Sequence, residues 1–141
     1  MKKIICPVII CLFIFCSGAV AQNINLSADS VSLFLCKQWK VDHALVGTMK
    51  MKRVPGKSAL DYEFKPDNTF YTTGSNPGDK GKGTWKYDST RKTIMLVMRG
   101  KPNTKIVSLK PAELIILLDA KKPGPDEPIE ETKLVYKVKN K

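Results

Sequence analysis

The sequence predicts an all-β protein: an eight-stranded antiparallel up-and-down β-barrel opened by a short N-terminal helical turn. Three observations carry that expectation. Residues 81–98, GKGTWKYDSTRKTIMLVM, read as a hairpin: Trp85 and Tyr87 alternate with Thr84 and Lys86, a polar turn follows, and Ile94, Leu96 and Met98 resume the alternation. The same unit of short strand, turn and short strand recurs along the chain. Finally, long and short connections alternate, as they do when successive turns of a closed meander fall at opposite ends of a barrel.

The first stretch stands apart from that pattern. Lys2 and Lys3 precede an apolar run over residues 4–15, and Ala19 and Ala21 supply small residues at the −3 and −1 positions of a cut before Gln22. This is the pattern of a secretory signal peptide. Residues 1–21 are therefore read as a leader cleaved after Ala21, residues 22–141 as the barrel domain, and the product as secreted or periplasmic. The apolar run is shorter than the ~20 residues a spanning helix needs, which argues against stable membrane insertion. Removing Lys2 and Lys3 from 24 basic residues leaves 22 against 13 acidic ones, a net charge of +9. Cys36 is the one cysteine outside the leader, so the domain must be held by its core rather than by an internal disulfide.

The elements follow in order. Ser30 to Cys36 suggests a serine-capped helical turn with Val31, Phe34 and Leu35 at helical spacing. A long first strand puts Trp39, Val41, His43, Leu45, Gly47, Met49 and Met51 on one face and lysines on the other, with a bend near Gly47. The second strand, near residues 59–65, turns Leu60, Tyr62 and Phe64 inward, and a Pro66-Asp67-Asn68 turn leads to the third around Phe70. The hairpin supplies the fourth and fifth, and strands near 105–109, 112–119 and 132–139 complete eight. The connections at 53–57, 74–81, 99–103 and 120–131 each hold Pro and Gly and share one end. Those at 66–68, 88–92 and 110–111 are shorter and share the other, where the helical turn must also sit. A barrel plugged at one end and fringed by loops at the other is a cup.

With an apolar helical turn running into Trp39, eight meander strands, and a Gly83-Thr84-Trp85 strand, the chain resembles the small secreted bacterial lipocalin-like (calycin-type) domains over nearly all of its length after the leader. Lys37 stands where lipocalins usually carry the glycine of a Gly-x-Trp motif at the first strand. The resemblance implies binding of a small apolar molecule inside the barrel, and it transfers no ligand contact residue by residue.

Catalysis finds little to build on. One histidine, His43, and one cysteine outside the leader assemble neither a metal cluster nor a supported nucleophile. Asp42 and His43 are adjacent on a strand and are expected on opposite faces. Gly78, Gly81 and Gly83 read as turn glycines rather than a phosphate loop, so no cofactor is implied. The expected ligand-binding lining is instead the inward set Trp39, Tyr62, Phe64, Phe70, Trp85, Tyr87, Met98 and Tyr136, together with Val41, whose rings and thioether form an adaptable apolar surface. An eight-stranded barrel is only just wide enough for its own side chains, so a filled core is the competing reading. Inward Gly83, Thr72 and Ser108 favour a cavity near the loop end.

Two surface features complete the reading. Met95, Val97, Ile115 and Leu117, with Val107 between them, are expected outward as an apolar patch suited to a protein partner or a second copy, unless a loop or the N-terminal segment covers it. Lysines 133, 137, 139 and 141 neighbour Lys40, Lys50 and Lys52 in a basic stripe, for which an anionic envelope or glycan surface and a merely solvated face are the two readings, while export argues against nucleic acid. The expected function is thus a non-enzymatic binder of a small hydrophobic or amphipathic ligand, the alternative a filled barrel acting as an interaction module through its outer face.

Overall fold

Residues 24–52, 60–118 and 131–140 are described in a computed structural model. The expected leader lies outside them, as do the loops at 53–57 and 120–130. The first described element is helix α1 (Ala28–Leu35), which starts three residues earlier than its sequence pattern suggests, because Ser27 rather than Ser30 is the cap: its hydroxyl accepts the Ser30 N–H at 3.3 Å. Val31 and Leu35 form the fully buried face, and Leu33 opposite them is exposed.

Nine strands follow: β1 (Gln38–Val46), β2 (Met49–Met51), β3 (Asp61–Phe64), β4 (Thr69–Thr73), β5 (Gly81–Asp88), β6 (Thr93–Met98), β7 (Lys101–Lys110), β8 (Glu113–Leu118) and β9 (Thr132–Val138). Every neighbouring pair is antiparallel, and β9 returns to pair with β1, so the sheet closes. The ring itself has eight members. Strand β2 is a short extra arm: the bend expected at Gly47 is a full reversal, with Gly47 at φ +57° in the left-handed region where a side chain is strained. Strands β2 and β3 both pair with the same edge of β1, β2 beside Ala44 to Val46 and β3 beside Gln38 and Trp39. Together they occupy one position in the ring, β2 ending at Met51 and β3 beginning at Asp61. Another expected long loop is also tight. Residues 99–103 reduce to the two-residue turn Arg99-Gly100, both at positive φ, and β7 begins at Lys101.

A bulge at Asp42 changes the face of β1. Val41 opposes Tyr136 and His43 opposes Val135, which leaves Asp42 as the extra residue. Beyond it Ala44, not His43 or Leu45, turns inward opposite Leu134, and Met49 is exposed.

Helix α1 plugs the end that carries the short turns. The Trp39 indole N–H donates to the Leu35 carbonyl at 2.9 Å, the Lys37 ammonium to the Pro111 carbonyl at 2.9 Å, and the Ile24 N–H to the Lys92 carbonyl at 2.8 Å. Ile24, Val31 and Leu35 join the barrel core there.

Candidate functional site

The eight expected lining residues all point into the core, but they do different jobs. Trp39, Phe64, Phe70 and Tyr136 are fully buried, Tyr62 and Trp85 nearly so, and Tyr87 and Met98 are half-buried against them. Tyr62 stacks on Phe64 (centroids 5.6 Å apart, planes 9° apart), leans on Phe70 at 5.7 Å and meets the Tyr136 ring edge-on at 5.6 Å. Phe64 and Phe70 are also in contact, at 5.7 Å. Four rings thus fill this section of the barrel.

The small residues expected to leave room do not leave it. A Cβ on Gly83 would run into the tip of the Phe70 ring and lie 2.5 Å from the Val97 carbonyl oxygen, so the glycine is where the ring goes. The hydroxyl of Thr72 donates to the Asp79 carbonyl at 2.8 Å and fastens the connection after β4. Ser108 follows a second bulge, at Val107, and lies opposite Ile115 on the outer face rather than inside.

Polar tips are mostly used within the fold. The Trp85 indole N–H donates to the Lys65 carbonyl at 3.1 Å, and the Tyr87 hydroxyl lies 2.9 and 2.8 Å from the carbonyls of Ile24 and Leu26, pinning the segment ahead of α1. With Trp39 bound to Leu35, three of the expected ligand-orienting groups belong to the plug and its surroundings. The Tyr136 hydroxyl is different. It is the one fully buried side-chain polar atom among the described residues without a hydrogen-bond partner. Burial pushes the Tyr136 phenol well above its ordinary pKa and that of Tyr62 up to about 12, so both stay protonated at neutral pH.

The end away from α1 has its own layer of inward side chains. Met51, Leu60, Met98 and Leu118 are half-buried and rest on the core from above, as Leu26, Phe34 and Cys36 do at the plugged end. Beside this mouth the wall is incomplete. Strand β3 pairs with β1 only through Gln38↔Glu63 and Trp39↔Tyr62, and β2 takes over at Ala44. Between them the Val41 N–H donates to the Asp61 carboxylate at 3.3 Å instead of to a strand carbonyl. A hollow of about 420 Å³ occupies the gap, lined by Lys40, Val41, Lys52, Asp61, Thr73 and Ser75 among others. No sequence signal marked it, since it arises from where β2 and β3 stop pairing rather than from any residue run.

His43 and Asp42, expected to face apart, meet: the bulge brings the imidazole Nδ1 within 2.6 Å of the Asp42 carboxylate, whose pKa this hydrogen bond lowers. The pair lies on the outer wall with Val135 opposite His43. Among the described residues no group of His, Cys, Asp and Glu is arranged to hold a metal ion.

Outside the wall, Met95, Val97, Ile115 and Leu117 alternate with the inward Ile94, Leu96, Leu114 and Ile116 and are half-buried. Lys105 stands between Met95 and Leu117, and Lys133 lies on the other side of Leu117. Val107 and Val135, outside the interior core, are already buried by the chain itself. In the basic stripe Lys40 and Lys137 are directly opposed, and Lys137 is drawn to Glu113 at 2.6 Å while Lys133 lies 3.1 Å from Glu131. Comparison of the chain with family models, curated proteins and solved structures finds no match.

Proposed function

We propose that this is a secreted or periplasmic lipocalin-like binding protein that takes a small hydrophobic or amphipathic molecule at the open mouth of its barrel and is not an enzyme. The asymmetry of the barrel supports the reading. One end is closed by α1 and by hydrogen bonds from Trp39, Trp85 and Tyr87, while the other ends in half-buried Met51, Leu60, Met98 and Leu118. Half-buried flexible apolar side chains above a rigid floor form a surface that a ligand can complete without unfolding anything. Of the eight expected contacts, Met98 and Tyr62 lie nearest this surface, Trp39, Phe64, Phe70, Trp85 and Tyr136 form its floor, and Tyr87 serves the plug. The alternative, an interaction module using Met95, Val97, Val107, Ile115 and Leu117, has less support, because lysines interrupt that face and Val107 is covered by the chain itself.

The test exploits neighbours of opposite orientation. Fluorescence titration with N-phenyl-1-naphthylamine, a neutral apolar probe, should show binding to the chain from residue 22 onward. Met98→Glu should weaken it at least tenfold and Val97→Lys should leave it unchanged. Equal effects of both changes, or no binding at all, would overturn the reading.

A further inference from the structure

The mouth of the barrel carries cations without carboxylate partners. Four exposed basic residues stand on the connections and strand ends that meet there: Lys50 on the β1–β2 arm, Lys80 ahead of β5, and Arg99 and Lys101 at the β6–β7 turn. None of the four is in an ion pair among the described residues, whereas Lys65–Glu63, Arg91–Asp88, Lys110–Glu113 and Lys137–Glu113 all pair at the plugged end. The described carboxylates near the mouth are engaged within the fold. Asp79 accepts the Asn76 N–H at 2.8 Å, Asp61 accepts the Val41 N–H at 3.3 Å, and Glu131 lies 3.1 Å from the Lys133 ammonium. With Lys52, Lys82 and Lys133 the four make seven cations against these three carboxylates. The other connections at this end, 53–59 and 119–130, leave that excess unchanged by sequence, since Arg53, Lys57, Lys121 and Lys122 balance Asp119, Asp126, Glu127 and Glu130.

Apolar side chains stand among these cations. Gly47 turns the chain back on β1, and Met49, which follows opposite Val46, is 62% exposed beside Lys50. Met98 is paired across the ladder with Lys101 and reaches over to Gly81, where an added Cβ would meet its methyl group at 3.4 Å, next to Lys80. The exposed apolar residue at the plugged end, Leu33, stands one helical turn from Asp29 instead. We propose that the mouth is a docking surface for an anionic lipid bilayer, with Lys50, Lys80, Arg99 and Lys101 among the headgroups and Met49 entering the acyl boundary without spanning it. Charge complementarity selects the acidic headgroups, and binding of this kind gains from apolar area buried at the interface as well as from the charges. The exposed thioether therefore favours a bilayer over a soluble polyanion, which would leave it in water. The docking surface goes beyond the reading of the barrel as a binder and does not require it. Where that reading holds, the same pose opens the mouth toward the phase in which apolar molecules dissolve.

Co-sedimentation of the chain from residue 22 onward with phosphatidylcholine vesicles, with and without one-third phosphatidylglycerol, tests this, and thermal melts check that each variant is folded. Wild type should partition onto the phosphatidylglycerol vesicles at least tenfold more strongly than onto phosphatidylcholine alone, and less as salt is raised. Each cation held near an anionic surface is worth about fivefold in partitioning, so Lys50→Gln/Lys101→Gln should lose about tenfold or more. Lys80→Gln/Arg99→Gln, on two other connections of the same end, should do likewise. Arg91→Gln/Lys110→Gln removes the same charge from the plugged end and should change partitioning less than about threefold, and Met49→Ser should lower it about threefold or more. Equal losses from mouth and plug pairs would assign binding to the overall positive charge and overturn the proposal. Unchanged partitioning of Met49→Ser would make the contact purely ionic, as with a soluble polyanion, and would overturn the bilayer as partner. Wild type that ignores phosphatidylglycerol would overturn it outright. Vesicle binding by a chain that takes up no N-phenyl-1-naphthylamine would sink the reading of the barrel as a binder and leave this surface standing.

Discussion

Replacing Gly83 by alanine adds one methyl group at the place where the barrel interior is tightest. Its backbone φ is ordinary, so the cost is steric. The new Cβ would overlap the tip of the Phe70 ring and lie 2.5 Å from the Val97 carbonyl oxygen. That oxygen belongs to β6, in register with β5 from Gly83↔Met98 to Asp88↔Thr93, and has little freedom to move. Phe70 must therefore yield, yet it is packed against both Tyr62 and Phe64 at 5.7 Å. Overpacking of a core at this scale costs about 1–3 kcal/mol. For a domain of this size that lowers the melting temperature by roughly 3–15 °C. Scanning calorimetry of Gly83→Ala beside Gly83→Ala/Phe70→Leu measures it, and the second change should recover part of the loss because the two sites share one space. An unchanged melting temperature for Gly83→Ala would mean that Phe70 has somewhere to go, and the argument for a filled floor would fail.

Three further outcomes are expected. Tyr87→Phe should cost about 0.5–1.5 kcal/mol in urea denaturation and leave probe binding at the mouth unchanged, because its hydroxyl serves the carbonyls of Ile24 and Leu26 at the plugged end. Gly100→Val should destabilise by more than about 1 kcal/mol, since residue 100 sits at φ +73° in the β6–β7 turn; a Val variant as stable as wild type would contradict that turn geometry. The pH dependence has a definite sign. Asp42, held down chiefly by its hydrogen bond to His43, and Glu113, held down chiefly by Lys137, both have native pKa values below their ordinary ones. Such groups bind fewer protons folded than unfolded, so their contribution is present above the ordinary carboxylate pKa of about 4 and is lost as pH falls through the lowered native values. Melting temperatures should hold from pH 7 to about 5 and fall below about 4, less steeply in Glu113→Gln.

What the sequence made legible was periodic. Alternation of apolar and polar residues located the strands around Trp39, Tyr62 and Trp85, short apolar runs located those at 93–98 and 114–118, and the start of the first strand at the tight end placed the helix there. What it hid were single-residue departures from the period. The bulge at Asp42 is invisible in a pattern of Val41, His43 and Leu45 that looks unbroken, yet it sends Ala44 inward and turns His43 to Asp42. Glycines misled in two directions. Gly47 looked like a bend and is a reversal, and Gly83 looked like free space and is occupied by a ring from the neighbouring strand. In each case the deciding fact is the partner across the sheet, which one chain read in order does not display.

The same reasoning explains why the candidate site escaped the sequence while its walls did not. Phe64, Phe70, Tyr62 and Tyr136 are visible as inward aromatic positions, and their number suggests a generous apolar cavity. Once they are in contact, the aromatic set becomes a floor, and the hollow in the wall arises from missing pairing rather than from missing bulk. Strand β1 has one edge to share and two short partners, β2 and β3, that together cover only its ends. Between those two pairings the Val41 N–H turns to a side chain, the Asp61 carboxylate, for its hydrogen bond.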